Sequence, residues 1–280
     1  MKTKIIDNWV IELEDVDLCN VSDSEAIEIG NMVLSNMVVV ARNQKMEPDD
    51  EVNFCRKIGS CQYIINPFQP KEGQRTEHLA VGNHILRVTG QKNEKGEEGL
   101  FGHTSALDWH ANQASNRNRE PLIWLYRVEG TAGSKTSWIN NIESYNALSD
   151  EIKEEIKDIE ITLGYKENSY SPSKFFKEHH HDDIPFKLVH TNDAGKTGLY
   201  FPFLQIFGMK GKNENEFNDL MERLIEHVTK PEFCYDHYWQ DGDVVLSEQW
   251  LSIHKRWAFE DMDKRVLHRI AFNYKNLLDN

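Results

Sequence analysis

The placement of short apolar runs constrains this chain's fold more than any other feature. Residues 37–41 read MVVVA and residues 121–128 read PLIWLYRV. Such runs are too short for ordinary helices and rich in β-branched and aromatic side chains, which fits strands buried on both faces. Residues 136–139 are strand-like, and 241–250 (DGDVVLSEQW) and then 265–274 (RVLHRIAFNY) read as strands alternating with turns. Helical patterning lies around them. Ser22 and Glu25 have the spacing of a capping box, followed by a stripe of Ala26, Ile27, Val33, Leu34 and Met37. Pro48 and Gly59 bracket a second helix over 49–58. Further helices are expected over 149–159 and over 214–228, the latter with Phe217, Leu220, Met221, Leu224 and Val228 inward. Strands that carry the polar groups, with helices packed outside, predict a mainly β fold, a barrel or jelly roll. No repeat or proline-rich linker divides residues 1–280, which are expected to form a single domain.

Charge narrows the partners. Thirty-two basic against 46 acidic residues leave a formal charge of −14, which repels phosphate backbones and argues against nucleic acid. No stretch reaches the roughly 18–20 apolar residues that cross a bilayer. The first residues lack the apolar core of a secretion signal, so a cytoplasmic location is expected, with no membrane partner. Cys19, Cys55, Cys61 and Cys234 form no C-x-x-C pair and read as reduced side chains. The segments 63–99 and 168–185 read as loops that shape a small-molecule pocket. The second of them carries His179, His180, His181, Asp182 and Asp183. Assembly into a homo-oligomer is left open.

Three constellations could carry chemistry. In a strand, alternate side chains share a face, so Asp108, His110 and Asn112 would point together, as half of a two-histidine–one-carboxylate metal site. His254 follows the strand that opens at Gly242-Asp243. In the last strand Arg265, Leu267 and Arg269 share one face, and His268 lies opposite with Val266 and Ile270. Two arginines aimed into an apolar barrel are costly unless each meets an anion. The same pattern also fits an edge strand with both in solvent. If they point inward, they suit a dicarboxylate held by an arginine fork.

In order and spacing these pieces resemble the taurine dioxygenase (TauD/TfdA) family of iron(II)- and 2-oxoglutarate-dependent oxygenases. The similar elements are Trp109 to Asn112, Gly133 to Trp138, Tyr145 to Ser149, Leu188 to Thr191 with Gly195 to Tyr200, Trp239 to Asp243, and His254 with Arg265 and Arg269 eleven and fifteen residues beyond it. The resemblance implies a double-stranded β-helix (jelly roll), with iron(II), 2-oxoglutarate and O2 as cofactor and cosubstrates. It implies His110 and His254 as iron ligands, Thr136 and Arg265 on the distal carboxylate of 2-oxoglutarate, and Arg269, with Trp109, on the primary substrate. That substrate would be a small anionic or zwitterionic molecule, hydroxylated at an unactivated C–H bond. Asn112 stands where the family has a carboxylate ligand. Its amide oxygen could ligate, Asp108 could replace it, or the position could pass to water or an exogenous anion. The last case leads toward a halogenase, and loss of a competent site leads toward a non-catalytic binding protein.

Overall fold

The computed structural model describes residues 1–64, 80–89, 91, 94, 96, 100–101, 106–130, 134–164, 185–259 and 265–278. The histidine–aspartate cluster at 179–183, Gly133 and most of 91–99 lie outside these. Strands dominate; the two main sheets face each other as a jelly roll, and a three-stranded and a two-stranded sheet lie outside them. The larger sheet has nine strands. Its path runs Lys2–Ile6, Val10–Glu14, Val38–Ala41, Val244–Glu248, Leu122–Glu129, Val266–Phe272, Ile85–Thr89 and Ala80–Val81, with Leu100–Phe101 joining beside Ile85–Thr89. The smaller sheet has four strands, in the order Cys234–Tyr238, Lys135–Asn140, Ser252–Arg256, Leu107–His110.

The central strands of the large sheet, Val38–Ala41, Val244–Glu248, Leu122–Glu129 and Val266–Phe272, are buried on both faces over most of their length, and their sequences are largely continuous apolar runs rather than alternating ones. Alternate residues go to different cores. Val39, Leu122, Trp124, Val244, Leu246, Ile270 and Phe272 pack under the helices Asp23–Asn36 and Pro48–Ile58. Val38, Val40, Ile123, Leu125, Val245, Leu267 and Ala271 face inward, where they meet Trp138, Tyr235 and Trp239 from the small sheet. The outer face of the small sheet, through Ile139 and Ile253, rests on a third core. That core includes Leu220, Met221 and Leu224 of the helix Glu214–Val228.

The capping box at Ser22 and the helix behind Pro48 form as the sequence predicts. Two expectations change. The helix expected over 149–159 stops at Ile156, and a strand begins at Glu160. The segment 63–99 is not all loop, because it contributes the paired strands Ala80–Val81 and Ile85–Thr89.

The Trp239–Asp243 element is a joint of the fold. Gly242 has φ +80°, and a Cβ there would lie 2.5 Å from the Gln44 carbonyl oxygen, so only glycine fits. Asp243 is buried and its Oδ2 accepts from Arg42 (2.6 Å), His237 (3.1 Å) and the Gln240 backbone N–H (2.8 Å). These bonds anchor the entry to Val244–Glu248.

The exit of that strand is anchored by Glu248, which is fully buried and whose Oε2 accepts the Trp250 and Leu251 backbone N–H groups at 3.0 and 2.7 Å. The turn so shaped delivers Ser252–Arg256 to the small sheet. Burial pushes the Glu248 carboxyl up to about 7, against those two bonds and the nearby Arg119 charge, which pull it down. The folded chain therefore holds this proton more tightly than the unfolded one, for which a free glutamate value of 4.5 applies. The resulting stabilisation is complete below 4.5 and is lost as pH rises to about 7. Glu248→Gln should remove this loss, gaining up to about 3 kcal/mol over the native chain between pH 5 and pH 8. Thermal melts across that range test this, and parallel pH curves for the two proteins would contradict it.

Candidate active site

The small sheet sets the site through its register. Ser252–Arg256 lies between two antiparallel neighbours. His254 is paired with His110 on one side and with Trp138 on the other, and Arg256 is paired with Thr136. The two imidazoles come together with ring centroids 4.2 Å apart, and Trp138 stacks behind His254 at 6.4 Å.

Both imidazoles are neutral at pH 7. Burial pushes His110 down to about 4, and the Arg256 and Arg269 charges lower it further, outweighing a backbone bond that acts the other way. His254 is held well below the ordinary histidine range, first by burial and then by His110 and Arg269. The Nδ1 of His110 lies 2.7 Å from the Asp108 carbonyl oxygen. A carbonyl can only accept, so Nδ1 carries the proton and the lone pair sits on Nε2.

The structure answers the question of the third ligand in part. Asp108 does not join the histidines. Two residues from His254 to Arg256 span three residues from His110 to Leu107, an irregularity that breaks the alternation expected on this strand. Asp108 is turned to the outer side instead, where it is 47% exposed and pairs with Lys255 at 3.0 Å. Trp109 lies there too, packed with Phe203 (6.5 Å) and under the Lys255 ammonium (6.0 Å), and so apart from the imidazole pair. Asn112 lies close by, but its Oδ1 accepts from Arg269 at 3.1 Å. Among the described residues, no three His, Cys, Asp or Glu side chains gather as a metal cluster. Two neutral imidazoles fit a divalent iron, while no carboxylate among the described residues completes a facial set with them.

A patch of positive charge lies in the interior beside the imidazoles. Arg265 is 3% exposed, and its Nε has no hydrogen-bond partner. Among the described residues no carboxylate forms an ion pair with it. Burial and the neighbouring Arg256 and Arg127 charges push it down to about 9. Thr136 is buried, and its Oγ1 accepts from the Trp239 indole N–H at 2.9 Å. With that lone pair used, the hydroxyl proton is free to be donated elsewhere. Of the two readings of the last strand, the solvent-edge one fails. The strand is interior, between Leu122–Glu129 and Ile85–Thr89, and His268 faces the helix side, 2.6 Å from the buried Glu51. Sequence reading missed two groups here, Arg256 and the Trp239 indole. The first was accessible, since Arg256 lies two residues from His254 on one strand.

Comparisons with known proteins agree with this fold. The family model described as Taurine catabolism dioxygenase TauD, TfdA family matches residues 4–271. Pentalenolactone F synthase of Streptomyces avermitilis is 22% identical over 272 residues, covering 90% of this chain and 86% of its own length. Alpha-ketoglutarate-dependent 2,4-dichlorophenoxyacetate dioxygenase of Cupriavidus pinatubonensis is 22% identical, covering 92% of each. Among solved structures, AAD-2 in complex with Mn(II) and N-oxalylglycine is similar with TM-score 0.80 at 20% identity, covering 96% of both chains. A taurine dioxygenase from Burkholderia xenovorans is similar with TM-score 0.72 at 20% identity, covering 94% of this chain and 85% of the other.

Proposed function

This chain belongs to the TauD/TfdA family of 2-oxoglutarate-dependent dioxygenases, and from that premise we propose that it hydroxylates an unactivated C–H bond of a small anionic or zwitterionic molecule. As a family member it is an enzyme that works with iron(II), 2-oxoglutarate and O2. The observation that carries the proposal is the pair of neutral imidazoles, His110 and His254, set beside a buried arginine that no described carboxylate neutralises.

In this reading His110 and His254 hold the iron through lone pairs that burial keeps unprotonated at neutral pH. Iron, when bound, supplies the coupling of O2 reduction and 2-oxoglutarate decarboxylation to C–H oxidation. The protein's own residues bind and orient. Arg265 pairs with the distal carboxylate of 2-oxoglutarate, and Thr136, its oxygen fixed by Trp239, donates its hydroxyl proton to the same group. Arg269 brings positive charge to the imidazole end of the cavity and draws an anionic substrate there. Relatives named for 2,4-dichlorophenoxyacetate and (S)-phenoxypropionate, both carboxylates, support that class.

Asn112 supports a second reading. Its oxygen is engaged by Arg269 and it brings no charge, so a small exogenous anion is a fitting partner for the iron, which would lead to halogenation. Succinate formation from 2-oxoglutarate with iron(II) and ascorbate tests the enzyme class, and product mass with and without chloride separates the two readings.

Two further outcomes are expected. Arg265→Gln should weaken 2-oxoglutarate binding about 10–150-fold, the loss of a charge-assisted contact of roughly 1.5–3 kcal/mol, whereas Arg269→Gln should act mainly on the primary substrate. Titrations of both variants decide this, and a larger 2-oxoglutarate loss for Arg269→Gln would reverse the two roles. With no carboxylate among the described residues joining the imidazoles, iron should bind weakly alone and strongly with 2-oxoglutarate present, whose charge restores the balance. Asn112→Asp should tighten iron binding without cosubstrate and shrink that cooperativity. Tight iron binding by the native chain alone would show that another group supplies the missing charge.

A further inference from the structure

We infer that Arg256 is a second arm of the cosubstrate clamp, and that with Arg265 it makes the pocket selective for a dianionic 2-oxo acid. This rests on the 2-oxoglutarate reading above and adds a residue which that reading does not use.

The placement of Arg256 follows from its strand. His254 and Arg256 are two residues apart in Ser252–Arg256, so both side chains point into the barrel while Lys255 points out to Asp108. Across the sheet, the register partner of Arg256 is Thr136, the hydroxyl assigned to the distal carboxylate. Arg256 and Arg265 share one aromatic neighbour, with each guanidinium carbon 5.3 Å from the centroid of the Phe259 ring. Arg256 is 5% exposed and Arg265 3%. Two guanidinium groups on one ring, both in the interior, repel each other across a medium that screens poorly. A chain of formal charge −14 has no general shortage of carboxylates, yet no described carboxylate ion-pairs with Arg265. A dianionic 2-oxo acid brings one of its two carboxylates, the distal one, to this end of the interior, while the other stays with the 2-oxo group at the metal. A carboxylate has two oxygens and about four acceptor positions, enough for the Arg265 fork, the Thr136 hydroxyl and a further N–H from Arg256.

The test uses the full chain loaded with Mn(II) and two calorimetric probes of equal length, 2-oxoglutarate and 2-oxopentanoate. Both carry the 2-oxo acid end, and only the first has a distal carboxylate. Any effect of a substitution on the metal end moves both probes together, so the ratio of affinities reports on the distal end alone. Arg256→Gln should weaken 2-oxoglutarate by about tenfold or more and leave 2-oxopentanoate within about twofold. Arg256→Lys keeps the charge without the fork, and should fall between the native chain and Arg256→Gln. An unchanged 2-oxoglutarate affinity in Arg256→Gln, alongside a loss in Arg265→Gln, would overturn the second arm and leave the cosubstrate reading standing. Equal losses for both probes in both Arg256 variants would make Arg256 a structural residue and also overturn it. If neither Arg256→Gln nor Arg265→Gln alters 2-oxoglutarate binding, the cosubstrate reading of the pocket fails, and this inference fails with it.

Discussion

The hydrogen-bonded register of Ser252–Arg256 against its two neighbours is the constraint on which the rest of the interior depends. It sets His254 opposite His110 and Arg256 opposite Thr136. A slip of this strand by one residue would send His254 and Arg256 to the outer core and bring Ile253 and Lys255 inward. The register is in turn held at its start by Glu248, whose buried carboxyl ties down the two backbone N–H groups of the turn. A group some distance from the imidazoles thus fixes their geometry without touching them.

The second organising theme is charge. The surface is strongly acidic, but Arg127, Arg256 and Arg265 are all buried. Arg127 pairs with Asp241 at 3.1 Å and donates to the Trp239 and Gly130 carbonyls. Among the described residues Arg265 has no such set of acceptors. Arg269 meets a neutral amide, Asn112. An interior of this kind is expensive to fold without ligands and inexpensive to fold around anions, since burial of a guanidinium is offset only by a paired charge or good acceptors. The neutral amide of Asn112 belongs to the same pattern, because it brings no negative charge to the imidazole end of the interior.

Much of this was legible in the sequence. Continuous apolar runs marked the two-sided large sheet, because a strand buried on both faces cannot alternate. The capping box at Ser22, the proline at 48 and the amphipathic stripe over 214–228 placed three helices. Alternation predicted that Arg265 and Arg269 would leave the strand on the side opposite His268, and the structure adds that His268 meets Glu51. What could not be read depended on pairing between distant segments. The Trp239 bond to Thr136 spans 103 residues, and that of His268 to Glu51 spans 217. Strict alternation also misplaced Asp108, because a strand irregularity is set by the partner strand and leaves no local mark in the sequence.

That irregularity has an evolutionary consequence. The chain carries a carboxylate two residues from His110, yet no rotamer change brings it inward, because the backbone has already committed Asp108 to Lys255 on the outer side. Restoring a protein carboxylate beside the imidazoles is therefore a one-codon step at position 112, but a re-threading of the whole strand at position 108. The two routes are close on the linear chain and far apart in the folded one.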